Sequence, residues 1–146
     1  MMGMIDVSGK KIVLRTALAE GKLSLKSTTV KEIIEGTIRK GDVFTVAEIA
    51  ALTGVKTTFI RIPHCHPIPV ASAEVKFSIE ESTIICTCWV KAEYKTGVEM
   101  EALSGVSSAL LTVWDMVKYL EKDADGQYPG TKIHDVRVIE KLKGAK

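Results

Sequence analysis

Two stretches of this chain gather side chains that could do chemistry. The first is Pro63-His64-Cys65-His66-Pro67. Histidine titrates near neutrality, so His66, pinned between a cysteine and a proline, suits an acid, a base or a hydrogen-bond donor. His64 and His134 have weaker cases, since either also fits a surface position. A His-x-His pair beside Cys65 raises zinc, with Cys86 and Cys88 as further ligands. The spacing is poor for that, and strand cysteines serve more simply as small buried hydrophobes. No metal is expected.

The second stretch is the run from Glu99 to Lys118. Glu99 and Glu101 fall in the first turn of a helix, where the dipole favours carboxylates; capping alone would explain them. Asp115 and Lys118 lie three apart and share a face, as an exposed ion pair would. Asp115, however, is embedded in Leu111-Thr-Val-Trp-Asp-Met-Val. A carboxylate there is expected to be desolvated, with its pKa raised into a useful range. Glu101 and Asp115 face nearly the same side but stand roughly 21 Å apart along the axis. Either they serve different ends of a large ligand, or each site combines helix ends from two subunits. The second is preferred and implies an obligate oligomer.

A third pattern is Val46 to Ile62, where Ala47, Ala51, Gly54 and Val55 follow a helix-turn-helix cadence. The would-be recognition helix meets Pro63 after about two turns. The formal net charge is only +2, without the basic excess that phosphate contacts require. A packed helical hairpin explains the cadence as well, and no nucleic-acid partner is expected. A DNA-binding regulator is the alternative to an enzyme, and a zinc protein the third possibility.

These residues must be positioned by a fold. The 146 residues suit a single domain, 1–146, with a sizeable core. Hydrophobic residues make up 46% and charged residues 26%, as in a folded globular protein. No apolar run approaches a bilayer span, and Met1 to Lys11 lacks the apolar centre of a signal peptide. Three cysteines argue against a disulfide framework and for a cytoplasmic setting. Residues 11–26 suggest a strand pair around Gly21. Ser27 to Ile38 reads as a helix with a Thr29/Glu32 capping box. Asp42 caps a second helix that Gly54 ends near Thr53. The prolines of 62–69 mark a loop. Val75, Phe77 and Ile79 alternate as a strand, followed by a long partner from Ile84 to Tyr94. Leu103, Val106, Leu110, Val113, Val117 and Leu120 form the apolar stripe of a helix over 98–122. A turn-rich loop then leads to a last strand over 132–142. Elements mixed in this order suggest an α+β fold, with a ferredoxin-like antiparallel sheet and helices packed on one face.

Taken together, Met4-Ile-Asp-Val-Ser-Gly-Lys10, Lys40-Gly-Asp-Val-Phe44, Ile62-Pro-His-Cys-His-Pro67, Lys95-Thr-Gly-Val-Glu-Met-Glu-Ala-Leu103 and Leu111-Thr-Val-Trp-Asp-Met-Val-Lys118 resemble the molybdenum cofactor biosynthesis protein C family. The resemblance covers nearly the whole chain, and the Thr96 to Leu103 string is very specific. It implies a ferredoxin-like lyase that assembles as a homohexamer, a trimer of dimers with the active site at the dimer interface. The implied reaction converts (8S)-3′,8-cyclo-7,8-dihydroguanosine 5′-triphosphate to cyclic pyranopterin monophosphate plus pyrophosphate, with no cofactor. Residue by residue, it implies catalytic roles for Asp115, Lys118 and Lys40. It implies substrate-binding roles for Cys65, His66, Glu99, Met100, Glu101 and Lys141, with His64 in the same loop. Arg15 is a weaker candidate for a phosphate ligand. The chain departs from the pattern at His64 and near Arg61, where the family usually has leucine. It departs also in a longer loop over 123–131 and in the tail Leu142-Lys-Gly-Ala-Lys146, which bears on Lys141.

Overall fold

The computed structural model describes residues Met2 to Gly144; Ala145 and Lys146 of the divergent tail lie outside the described residues. Its elements follow the order β1 (Val13–Ser24), α1 (Ser27–Glu35), α2 (Val43–Lys56), α3 (Thr58–Arg61), β2 (Val70–Glu80), β3 (Thr83–Tyr94), α4 (Glu99–Glu121) and β4 (Lys132–Lys143). The sheet order is β2-β3-β1-β4, and every neighbouring pair is antiparallel. That is the ferredoxin-like split βαβ arrangement.

The expected strand pair around Gly21 is instead one continuous strand. β1 pairs with β3 along its whole length, Gly21 opposite Cys86. The glycine is there for packing. A Cβ at this position would lie 2.6 Å from Val106 Cγ1 and 2.9 Å from Leu110 Cδ1, so its absence lets α4 settle onto the sheet. Gly54 likewise does not end α2, which continues to Lys56. It faces α4, where a Cβ would collide with Ser108 and with the Ser104 carbonyl oxygen. Ala47, Ala51, Gly54 and Val55 are all buried, so the helix-turn-helix cadence is that of small residues packed in the interior. The second helix of that motif, α3, has only four residues.

The Thr29/Glu32 capping box does not form: Lys26 is the N-cap of α1 and makes no side-chain cap bond. Thr29 is buried, and its hydroxyl donates to Glu121 of α4. The fully buried Glu121 carboxylate also accepts from Thr131 Oγ1 at 2.6 Å and from the Lys26 amide at 3.0 Å. It therefore ties together the ends of α1, α4 and the long loop. Helix α1 stops at Gly36, whose φ of 73° provides the left-handed cap, two residues before Ile38. Asp42 does cap α2, its Oδ1 accepting from the Thr45 amide at 3.0 Å.

The long helix and the hairpin match the periodicity closely. Ile84, Cys86, Cys88, Val90 and Ala92 of β3 meet Val106, Leu110, Val113 and Val117 of α4 in one buried cluster. Phe44 stacks on Phe77, ring centroids 4.8 Å apart, closing the core beneath β2. In β4 an extra residue bulges opposite β1 between Glu20 and Lys22. There Asp135 takes a left-handed φ of 52°, and Ser24, His134 and Asp135 form a chain of hydrogen bonds that pins the bulge.

Candidate active site

Helix α4 carries functional groups at both ends. At its C-terminal half, Asp115 Oδ1 lies 3.1 Å from Lys118 Nζ and Oδ2 lies 2.8 Å from Lys40 Nζ. Lys118 reaches Asp115 because three residues bring side chains onto one helix face. Lys40 arrives from the turn between α1 and α2 and also donates to the Asp115 carbonyl at 3.2 Å. The three expected catalytic residues are thus brought together.

The electrostatics of Asp115 correct the expectation from its apolar neighbours. Its side chain is 55% exposed, because Val113, Met116 and Val117 turn inward while it turns out on the face that also exposes Leu111. Hydrogen bonds from Lys40 and Lys118 hold its pKa below the ordinary carboxylate value. Asp115 is therefore an ionised anchor for two ammonium groups at neutral pH.

At the other end of α4 a cavity of about 310 Å³ is lined by His64, Cys65, His66, Glu99, Met100 and Glu101, with Ile5, Val7, Lys10, Ile68, Thr96 and Gly97. Lys141 reaches this end from β4, its Nζ 2.7 Å from Glu99 Oε2. His66 Nε2 lies 2.7 Å from the Ile5 carbonyl oxygen. A carbonyl only accepts, so Nε2 carries the proton and, in the neutral ring, Nδ1 is left as the acceptor. Lys95 Nζ holds the Ser8 carbonyl at 3.2 Å. Together these bonds lay the N-terminal segment along the cavity.

Glu101 is the perturbed group here. It is 3% exposed, and burial, reinforced by the charge of Glu99, pushes its pKa from 4.5 to about 7. A carboxyl poised near neutrality is suited to general acid–base work. Burial, together with the charges of Glu101 and Glu99, raises the Cys65 thiol above its ordinary value, which favours a hydrogen-bonding thiol over a thiolate nucleophile. Cys86 and Cys88 are fully buried in β3, with pKa pushed up to about 12 by burial. Among the described residues, no three of His, Cys, Asp and Glu converge as a metal ligand set.

Arg15 is buried in place of facing a ligand, its guanidinium donating to the carbonyls of Tyr94 and Lys95 at 3.1 and 3.2 Å. Arg61 Nη2 donates to the Gly54 carbonyl at 2.8 Å, tying α3 to α2. Sequence reasoning missed the cavity-lining roles of Ile5, Val7 and Lys10. No periodicity marks an irregular segment, although Met4 to Lys10 is one of the strings that carry the resemblance.

A ferredoxin-like α+β protein with a lysine–aspartate–lysine triplet and a buried, near-neutral glutamate has the equipment of an acid–base enzyme for a polyanionic substrate. The MoaC family model matches residues 4–144, and the chain belongs to that family. It is 55% identical over 140 residues to a probable cyclic pyranopterin monophosphate synthase of Pyrococcus furiosus, covering 96% of this chain and 90% of that one. The probable synthase of Archaeoglobus fulgidus is 54% identical over 143 residues, covering 98% and 92%. A Methanothermobacter thermautotrophicus protein, named as a probable cyclic pyranopterin monophosphate synthase accessory protein, is 51% identical over 140 residues, covering 96% and 88%.

Proposed function

We propose that this chain is a lyase of molybdenum cofactor biosynthesis, converting (8S)-3′,8-cyclo-7,8-dihydroguanosine 5′-triphosphate to cyclic pyranopterin monophosphate and pyrophosphate. The observation that carries this is the meeting of Lys40, Asp115 and Lys118, from distant parts of the chain, within the matched family span. The whole of 1–146 is taken as one catalytic domain acting in the cytoplasm. No helix among the described residues is long and apolar enough to cross a membrane.

The substrate is a triphosphate carrying about four negative charges at neutral pH. Lys40 and Lys118 bind and neutralise phosphate oxygens while Asp115 holds both ammonium groups in register. Closing the cyclic phosphate has a substrate hydroxyl attack the α-phosphorus as pyrophosphate leaves, and fixed lysine charge stabilises that displacement. Rebuilding the pterin ring system needs several proton transfers. Glu101 is the group tuned for them, with His66 beside it and Glu99 orienting Lys141. His64, Cys65 and Met100 shape the walls that hold the ring system.

The two ends of α4 stand roughly 21 Å apart, so one substrate reaches both only if they come from different subunits. Ile49, Phe59 and Ile60 on α2 and α3, Leu111 on α4 and Val136, Val138 and Ile139 on β4 are exposed apolar side chains. They suit burial between copies. A homohexamer built as a trimer of dimers, with each site at a dimer interface, accounts for both facts.

Incubating the pure protein with the cyclised dihydro-GTP and assaying pyrophosphate tests the assignment. Stoichiometric pyrophosphate with cyclic pyranopterin monophosphate is the expected result. Recovery of unchanged substrate would refute it.

A further inference from the structure

The cations already described leave the substrate's charge poorly matched. Lys40 and Lys118 share one carboxylate, and Lys141 is paired with Glu99. A triphosphate calls for more positive charge at the lysine end of the site. Beside Lys40 stands Arg39, which is exposed and, among the described residues, makes no ion pair with a carboxylate.

Arg39 is held in place. Its guanidinium lies over the Tyr119 ring, 4.6 Å from the centroid, and its backbone amide donates to Tyr119 Oη at 3.0 Å. Tyr119 lies on α4 directly after Lys118 and four residues after Asp115. That spacing puts Asp115, Lys118 and Tyr119 on one helix face. The ring thus presents Arg39 on the same side as the lysine–aspartate–lysine triplet. The cation–π contact restrains the guanidinium, and among the described residues its N–H groups make no hydrogen bond, which leaves them available to phosphate oxygens.

We propose that Arg39, presented on the ring of Tyr119, is a further substrate-binding residue that grips a phosphate of the triphosphate. This rests on the function proposed above. It also gives Tyr119 a positioning role, since its one side chain supports the guanidinium and anchors the backbone just before Lys40.

The test compares wild type, Arg39→Gln, Arg39→Lys and Tyr119→Leu in steady-state turnover, in inhibition by added pyrophosphate and in calorimetric binding of inorganic triphosphate. Arg39→Gln removes one charge-assisted contact, so KM rises about tenfold while kcat stays within about twofold. Inhibition by pyrophosphate and binding of triphosphate weaken in parallel. Arg39→Lys recovers part of the loss, because charge remains and the paired edge does not. Tyr119→Leu raises KM with Arg39 intact. Thermal melts verify that each variant is folded, as the exposed position of Arg39 leads one to expect.

Unchanged KM and unchanged triphosphate binding in Arg39→Gln overturn the proposal. So does a fall in kcat at constant KM, which would make Arg39 only a support for Lys40. A wild-type protein that fails to turn over the cyclised dihydro-GTP refutes the assigned reaction instead. The binding of inorganic triphosphate then still decides whether Arg39 grips phosphate.

Discussion

Glu101→Gln isolates the central electrostatic feature of the cavity. The carboxyl is buried and its pKa is raised from 4.5 to about 7, chiefly by desolvation. A raised acid pKa means that the folded state binds more protons than the unfolded one between those two values. Stability from this group is therefore fully present below pH 4.5 and is lost as pH rises through about 7. One pKa unit is ~1.4 kcal/mol, so the full shift corresponds to ~3 kcal/mol. Because the carboxyl lines an open cavity and is only partly desolvated, the expected effect is ~2 kcal/mol. Glutamine keeps the shape and never ionises. In urea denaturation the variant should match wild type near pH 4.5 and exceed it by ~2 kcal/mol at pH 8.5. Turnover should fall about 10²- to 10⁴-fold, because glutamine cannot transfer a proton. In wild type, kcat/KM should inflect near pH 7. Parallel stability curves for the two proteins across this window would refute the assignment of a buried, near-neutral carboxyl.

Other perturbations probe separate parts of the structure. Asp115→Asn should abolish turnover while the thermal melt and assembly stay near wild type, since the lost ion pairs are exposed and worth ~1 kcal/mol or less; near-normal turnover would remove Asp115 from the mechanism. Lys40→Ala should weaken triphosphate binding in calorimetry more than it lowers stability, and unchanged affinity would count against its role. Glu121→Leu leaves the Thr29 and Thr131 hydroxyls without their acceptor and should cost ~3 kcal/mol in urea denaturation. Gly54→Leu drives a side chain into Ser108 and the Ser104 backbone and should destabilise by ~3 kcal/mol or more; a wild-type melt would show that α2 and α4 are not in such close contact.

Much of the fold is legible in the sequence because a buried face leaves a period. The stripe Val106, Leu110, Val113 and Val117 defines α4, and the alternation from Ile84 to Ala92 defines β3. What periodicity cannot report is the partner across the interface. Gly21 and Gly54 carry the signal of a break, yet each marks close approach to α4. Thr29 and Glu32 have capping-box spacing, yet Thr29 is drawn to Glu121, a partner 92 residues away. The candidate site divides along the same line. The resemblance names the residues, and the structure gathers them into two clusters, but neighbouring residue types mislead about their charge states. Asp115 stands in an apolar string and is exposed; Glu101 stands at a helix start and is buried. Arg39 and Tyr119 are 80 residues apart and share no pattern, so only the folded chain joins them.

In the proposed assembly, each site combines the lysine–aspartate–lysine end of one α4 with the glutamate end of a neighbour's α4. Mixing Asp115→Asn and Glu101→Gln subunits, unfolded together and reassembled, tests this directly. Each variant alone should be inactive. If the ends come from different subunits, half of the sites in mixed dimers are intact, and random assembly restores about a quarter of wild-type pyrophosphate release. If both ends belonged to one subunit, every site would carry a substitution and the mixture would remain as inactive as its parents.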